Sequence, residues 1–275
     1  MNFKSGNASI YYPGVTSLDG VTDMCIAAHQ DDVEIMAYAP IAACYGKDSF
    51  AAVVVTDGAG SPRAGEYADY TDEQMKAVRI TEQQQAANIG KYRAAVLLGY
   101  PSAAVKDGKN ADPVDDIYEL LMAVRPRRLY THNVADKHPT HVAVALRVIA
   151  AVKRMPKEAR PESFTALEVW RGLDWMCDGD KVCLDTGAYP ELAEKLLQVH
   201  RSQVVGGKRY DTAAIGRRFA NATFFESHAT DDIKSMNFGM DLMPMVERDV
   251  SPLDYVMEYI DRFVSEVSDT VGRLM

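Results

Sequence analysis

The sequence of 275 residues lacks an excess of positive charge: 30 Lys and Arg face 39 Asp and Glu, a formal net charge of −9. Nucleic acids and anionic membranes are held by basic patches, so no nucleic-acid partner is expected. No apolar run approaches the roughly 18 residues of a membrane span, and the opening "MNFKSGNASIYYPG" lacks the apolar core of a secretory leader. A soluble cytoplasmic protein is therefore expected. Cysteine is scarce, with four residues and no CxxC spacing, which argues against a thiolate metal site. Cys25 sits in an apolar run and reads as a small buried hydrophobe. A bridge between Cys177 and Cys183 is conceivable, but a reduced chain is the simpler reading. Walker and Rossmann glycine patterns are missing, and Gly58-Ala59-Gly60 is too little for a phosphate loop. Internal repeats and low-complexity linkers are also lacking.

What is present is an ordinary globular composition, 47% apolar and 25% charged, with enough apolar residues for a sizeable core. Short β-like runs alternate with helical patterns. Met24–Ala28 precedes a helix over Val33–Tyr45. "FAAVVVTDG" (Phe50–Gly58) is the clearest strand, β-branched and closed by Asp-Gly. Thr71–Ile89 reads as a helix capped by Thr71 and ended by Gly90. Ala94–Gly99 and Arg127–His132 read as strands. Asp112–Val124 and His138–Met155 read as helices, the latter with Pro139 in its first turn. Such alternation predicts an α/β fold, Rossmann-like, with a mainly parallel sheet and helices on both faces. Beyond Met155 the pattern is less regular: "FTALEVW" reads as a strand, Tyr189–Val204 and Tyr255–Leu274 as helices, and Asn237–Pro252 as a long surface loop. The expectation is one domain over residues 1–275, with a core at about 20–230 and a helical extension at 231–275.

Two strand ends gather titratable groups. The first carries His29-Gln30-Asp31-Asp32-Val33-Glu34. His29 and Asp32 are spaced to turn toward one point, with Asp31 between them. Taken alone, Asp31-x-x-Glu34 also fits a helix N-cap box, but such a box has no need of a histidine. The second is "THNVADKHPTH", where His138 and His141 are separated by two residues at a helix start. Capping and surface exposure would explain two such histidines. Both motifs follow predicted parallel strands, however, and ligands of open α/β sheets bind outside the carboxyl ends of strands. His29, Asp32 and one of His138 or His141 can therefore meet. Two histidines and a carboxylate form a catalytic zinc set with an open fourth position. There the ion generates a nucleophile from water near neutral pH. Asp31, beside a ligand but not required as one, is placed to take the water's proton.

These residues resemble the LmbE/PIG-L-like de-N-acetylases, which carry A-H-P-D-D-x-E after the first strand and D-R-H-P-D-H before a later helix. Here the motifs read Ala28-His29-Gln30-Asp31-Asp32-Val33-Glu34 and Asp136-Lys137-His138-Pro139-Thr140-His141. "VVVTDG", Arg79-x-x-Glu82, "VHRSQ" (Val199–Gln203) and "FFES" (Phe224–Ser227) are weaker echoes, so the likeness runs from about Met24 to Ser227. The resemblance implies that His29, Asp32 and His141 hold one zinc ion, or another divalent transition metal. It also implies that Asp31 is the general base and that His138 stabilises the oxyanion or protonates the leaving amine. The implied reaction removes the N-acetyl group of a glucosamine-type sugar or glycoconjugate. Homo-oligomers occur among similar proteins. Two positions depart from the pattern: Gln30 stands for proline and Thr140 for aspartate.

The remaining polar residues divide between site and scaffold. Arg79 and Glu82, one helical turn apart, fit either an ordinary ion pair or a buttress of the site. Arg63, on the loop after the second strand, and His132, at the end of the strand before the second motif, are candidate substrate contacts. His200 reads as structural, and His228 fits pocket or surface equally. Two other functions suit the same residues: a metal-dependent hydrolase of another amide or an ester, and a catalytically silent metal- or sugar-binding homologue.

Overall fold

The computed structural model describes residues 1–205 and 207–275. Its strands are β1 Ser9–Tyr11, β2 Asp23–Ala27, β3 Phe50–Thr56, β4 Ala94–Tyr100, β5 Arg128–His132, β6 Ser163–Leu167, β7 Val182–Asp185 and β8 Met236–Asp241. The helices between them are α1 Asp32–Met36, α2 Tyr38–Cys44, α3 Asp72–Gly90, α4 Ser102–Lys106, α5 Asp112–Val124 and α6 Pro139–Arg154. The carboxyl-terminal third adds α7 Pro190–Gln198, α8 Arg201–Val204, α9 Tyr210–Thr223, α10 Met243–Arg248 and α11 Pro252–Leu274. These strands form one sheet in the order β1-β4-β3-β2-β5-β6-β8-β7. β4, β3, β2, β5 and β6 run parallel, while β1 and β8 pair antiparallel with their neighbours. This is the α/β class and the mainly parallel sheet that the alternation of patterns predicts.

The parallel strands are apolar on both faces because both faces are covered. In β2, Met24 and Ile26 enter one core while Cys25 and Ala27 enter the other, as the two-residue period of a strand requires. The first core is completed by Leu120 of α5, Val144 and Val148 of α6, and Tyr255 of α11. The second is completed by Val33 of α1, Ile41 of α2, Ala86 of α3 and Leu196 of α7. β2 lies mid-sheet. The chain steps outward from it to β3 and β4, then returns to its other side with β5 and β6. The direction of winding reverses between β2 and β5, and such a reversal opens a crevice at the carboxyl ends of the strands.

Several local expectations change. The helix expected over Val33–Tyr45 is two helices, parted at Ala37 (φ −105°, ψ 29°). The helix expected over Tyr189–Val204 is likewise divided after Gln198, and the buried His200 side chain there meets Glu34, with Nε2 and Oε2 3.0 Å apart. The segment read as a long loop, Asn237–Pro252, holds most of β8 and all of α10, and β8 is paired on both sides by β6 and β7. Residues 231–275 are therefore not wholly a helical extension. β1 and α9 carried no expectation. Thr71 caps α3 as read, in a reciprocal capping box with Gln74. Gly90 ends that helix, but Lys91 takes the left-handed turn at φ 51°; Gly90 is required because a Cβ there would collide with the Tyr92 ring. The four cysteines are free thiols, with Cys25 buried. Among the described residues no helix is long and apolar enough to cross a membrane.

Candidate metal centre

The end of β2 is pinned from both sides. On one side the Thr56 hydroxyl and amide both donate to the Ala28 carbonyl, at 2.7 and 2.9 Å. On the other, the Ala28 amide donates to His132 Nε2 at 2.8 Å. The chain then turns sharply at Asp31, whose φ of 100° is left-handed and rare for a residue with a side chain. Asp31 precedes α1, yet its carboxylate makes no cap bond. Glu34 does not close an N-cap box either; its buried carboxylate accepts from Gln83 and Tyr92, both at 2.9 Å. The Asp31 carboxylate thus stays turned to the crevice. Gln30 is buried and donates to the Thr56 carbonyl at 3.3 Å, so the turn is tied to β3 without the proline the family pattern carries.

Three basic atoms converge beyond this turn. His29 Nδ1 lies 3.1 Å from Asp32 Oδ2 and 3.2 Å from His141 Nε2, and His141 Nε2 lies 3.3 Å from Asp32 Oδ2. Such a triangle of lone pairs is repulsive unless a cation sits against it. Its edges match the spacing of roughly 3.3 Å expected for tetrahedral ligands about 2.0–2.1 Å from a zinc ion. Burial pushes the His141 imidazole down to about 4, so it is neutral at pH 7 with a free lone pair. Burial alone would raise the Asp32 carboxyl, but His141 and His132 outweigh it and hold the group well below the usual carboxylate range. The donors therefore fit a divalent transition metal in both charge and spacing.

The next layer fixes these donors. Asp136 Oδ2 stands 3.6 Å from His141 Nδ1, which favours the proton on Nδ1 and leaves Nε2 for the ion. Asp136 is itself oriented by the amides of His138 and Trp170, at 2.9 and 3.0 Å. His132 is fully buried and stacks under His141 with ring centroids 4.0 Å apart. With Nε2 accepting from Ala28, it supports His141 from beneath rather than lining the cavity. Arg79, buried in α3, reaches Asp31 Oδ2 and Glu82 Oε2, each at 3.1 Å, and the Gln30 carbonyl. Glu82 in turn accepts the Ser202 amide at 2.6 Å. Arg79 and Glu82 thus buttress the Asp31 turn. Burial raises the Asp31 carboxyl above its usual value even though the Arg79 guanidinium opposes the shift.

A cavity of about 690 Å³ opens over the triangle, lined among others by His29, Asp31, Asp32, His138, Trp170 and Tyr210. His138 stacks on His141 at 4.5 Å and stands edge-on to His29 at 5.0 Å. Burial, helped by His29, lowers its imidazole below the ordinary value. Thr140 lines the cavity and bonds the Ser102 hydroxyl at 2.8 Å. Sequence reasoning thus brings together His29, Asp31, Asp32, His138 and His141. Arg63 lies outside the cavity, exposed and paired with Asp72. His200 is buried against Glu34, and His228 is exposed. Trp170, Lys208, Tyr210 and Arg217 also line the cavity, but no spacing rule in the chain singles them out.

Residues 24–152 match the family model described as PIG-L, GlcNAc-PI de-N-acetylase. That is the family read from the two histidine motifs, and the echoes at Val199–Gln203 and Phe224–Ser227 lie beyond the match. No curated protein sequence matches the chain. Among solved structures, the N,N'-diacetylchitobiose deacetylase of Pyrococcus horikoshii is similar at 17% identity, over 84% of this chain and 86% of that one, with a TM-score of 0.63. The 4-carboxy-2-hydroxymuconate hydratase of Pseudomonas putida is similar at 16% identity, over 82% and 97%, with a TM-score of 0.61. A conserved protein of Thermus thermophilus is similar at 19% identity, over 82% and 95%, with a TM-score of 0.60. These likenesses are of fold, and one of them belongs to an enzyme with different chemistry.

Proposed function

Because residues 24–152 carry the PIG-L de-N-acetylase segment, we propose that the chain is a zinc-dependent N-deacetylase of a glucosamine-type sugar or glycoconjugate. The observation that carries this reading is Asp31: a carboxylate beside the ligand triangle, left uncapped by its own helix and facing the cavity. A site built only to hold an ion or a sugar needs no such group. The hydratase on the same fold makes the choice of reaction a matter of the site rather than of the sheet.

His29 Nδ1, Asp32 Oδ2 and His141 Nε2 are the atoms that would hold the ion. When bound, the ion supplies Lewis acidity and lowers the pKa of water to around 7. The chain's own groups do the rest. Asp31 removes a proton from the attacking water, and its raised carboxyl pKa brings it nearer the neutral range in which a general base works best. Arg79 fixes the carboxylate through Oδ2. Water adds to the acetyl carbon, and the developing oxyanion is stabilised by a donor at His138. The C–N bond then breaks with a proton delivered to nitrogen, so that acetate and the free amine leave. His138 is the group placed for that delivery, and its lowered pKa makes protonation the harder part of its task.

Acetate release from a panel of N-acetyl sugars tests the reading. The wild-type protein loaded with zinc should release acetate and stop on addition of a chelator. Asp31→Asn should retain its zinc by elemental analysis while losing hydrolysis by about a thousandfold. Activity of Asp31→Asn within a factor of a few of wild type would remove Asp31 from its role.

A further inference from the structure

The last helix is apolar over more of its surface than the body covers. α11 buries Tyr255, Val256 and Tyr259, and the half-buried Phe263 continues that face. About 100° further round the helix runs a second apolar stripe: Leu253, Met257, Ile260, Val264, Val267, Val271 and Leu274. The steps between them are 4, 3, 4, 3, 4 and 3 residues, the heptad rhythm of a coiled-coil seam held for three repeats. Ile260 is half-buried, and the other six side chains are exposed, from 40% at Met257 to 84% at Leu274. A surface helix that packs on one face has no need of a second stripe.

The polar residues of α11 decide what fits there. Arg262 is held by Asp180 at 2.6 Å and Glu258 by Arg248 at 2.9 Å, both away from the stripe. One flank of the stripe carries Asp254, Asp261 and Ser268, the other Val256, Phe263 and Thr270. No lysine or arginine borders it, so an anionic lipid surface finds nothing to hold. Two copies of the stripe, in contrast, meet without opposed charge. Paired parallel, the acidic flank of each copy faces the uncharged flank of the other. Paired antiparallel about Val264 and Val267, Asp261 faces Ser268 across the pair. A chain of net charge −9 repels its own copies, and this seam is where that repulsion is least. The stripe is roughly 32 Å long and covers on the order of 300 Å² of a helix about 10 Å across, the size at which an apolar patch marks a contact between proteins. Two such stripes make a small interface, so the pair should be reversible, with a dissociation constant on the order of 10 µM.

We propose that α11 is a self-association helix: the stripe from Leu253 to Leu274 packs against the same stripe of a second copy of this chain, as a two-fold pair. The association requires neither the metal centre nor turnover. Sedimentation velocity of the full chain, with zinc added, over about 1–200 µM tests it. The wild type should pass from one chain to two as its concentration rises. Val264→Glu combined with Val271→Glu sets like charges against each other in the seam and should weaken association at least about tenfold. Both positions are exposed and glutamate suits a helix at least as well as valine, so the melting temperature and zinc content should stay as in the wild type. Asp269→Lys, on the far side of the helix, should associate as the wild type does. An assembly larger than two chains that shrinks in the double variant also supports the proposal. A wild type that remains a single chain throughout overturns it, and flotation of that chain with phosphatidylcholine vesicles would assign the stripe to lipid instead. An assembly that the double variant leaves intact, or that Asp269→Lys weakens equally, overturns it too.

Discussion

A single arginine holds the Asp31 carboxylate in place. Arg79 is buried between Asp31 and Glu82 and also bonds the Gln30 carbonyl, so it fixes both the side chain and the backbone of a turn whose φ is 100°. Removing one partner from a buried ion pair leaves charge without compensation, at a cost of about 3–5 kcal/mol. Arg79→Ala should therefore lose stability on that scale in urea unfolding, and its hydrolytic rate should fall with it. A loss below about 1 kcal/mol would show that water replaces the guanidinium, since exposed pairs cost no more than that. Thr140 bears on the other end of the reaction. Its hydroxyl is bonded to Ser102 rather than to a histidine, and Asp136 faces His141 and the His138 amide rather than the His138 ring. Thr140→Asp places a carboxylate two residues from His138, and a nearby negative charge favours the protonated imidazole. The alkaline limb of the pH–rate profile should then move to higher pH. An unshifted profile would separate position 140 from the acid step.

At the level of elements, legibility follows how much of each element's stability is local. β3 and β4 are buried on both faces, and such strands read as plain apolar runs, so their burial is written in the sequence. The first turn of α6 was legible from Pro139, and the start of α3 from Thr71. β8 was not: "MNFGMD" has no β-branched residue, and it is a strand because β6 and β7 bond it on both sides. Gly239 shows the same dependence. A Cβ there would lie 2.5 Å from Thr165 Cγ2 and 3.2 Å from Leu167 Cδ2, so the sheet, not the local sequence, sets the requirement. Gly239→Val should destabilise the protein by roughly 1–3 kcal/mol through overpacking, read as a lower urea midpoint with zinc content unchanged. A wild-type midpoint would mean that β6 yields at no cost. The site divides in the same way. The triangle of His29, Asp32 and His141, together with Asp31, comes from two short motifs with characteristic spacing. Trp170, Lys208, Tyr210 and Arg217 reach the cavity only because the chain after β6 wraps back over the crevice.

For the whole molecule, the decisive feature is that the three atoms proposed to bind the metal come from the segments that follow two neighbouring strands, with His29 and His141 separated by 112 positions. The unfolded chain has no such triangle, so an ion that binds the native state alone adds stability of about 4 kcal/mol when it is present at a thousandfold over its dissociation constant. Chelation should lower the melting temperature by on the order of 10 °C, measured by circular dichroism, and added zinc should restore it. Asp31→Asn should show the same shift and His141→Ala almost none. Equal melting temperatures with and without the ion would show that the sheet closes this corner unaided. A metal so placed would be a removable cross-link, closing a long loop of polypeptide in the way a disulfide does but reversibly. On the proposed function, a molecule without its ion would lose reactivity and at the same moment open more often where β2 and β5 part. Proteolysis follows the population of open forms, so inactive copies would also be the ones most readily cleared. The chemistry of the site and the lifetime of the chain would thereby be governed by one set of bonds.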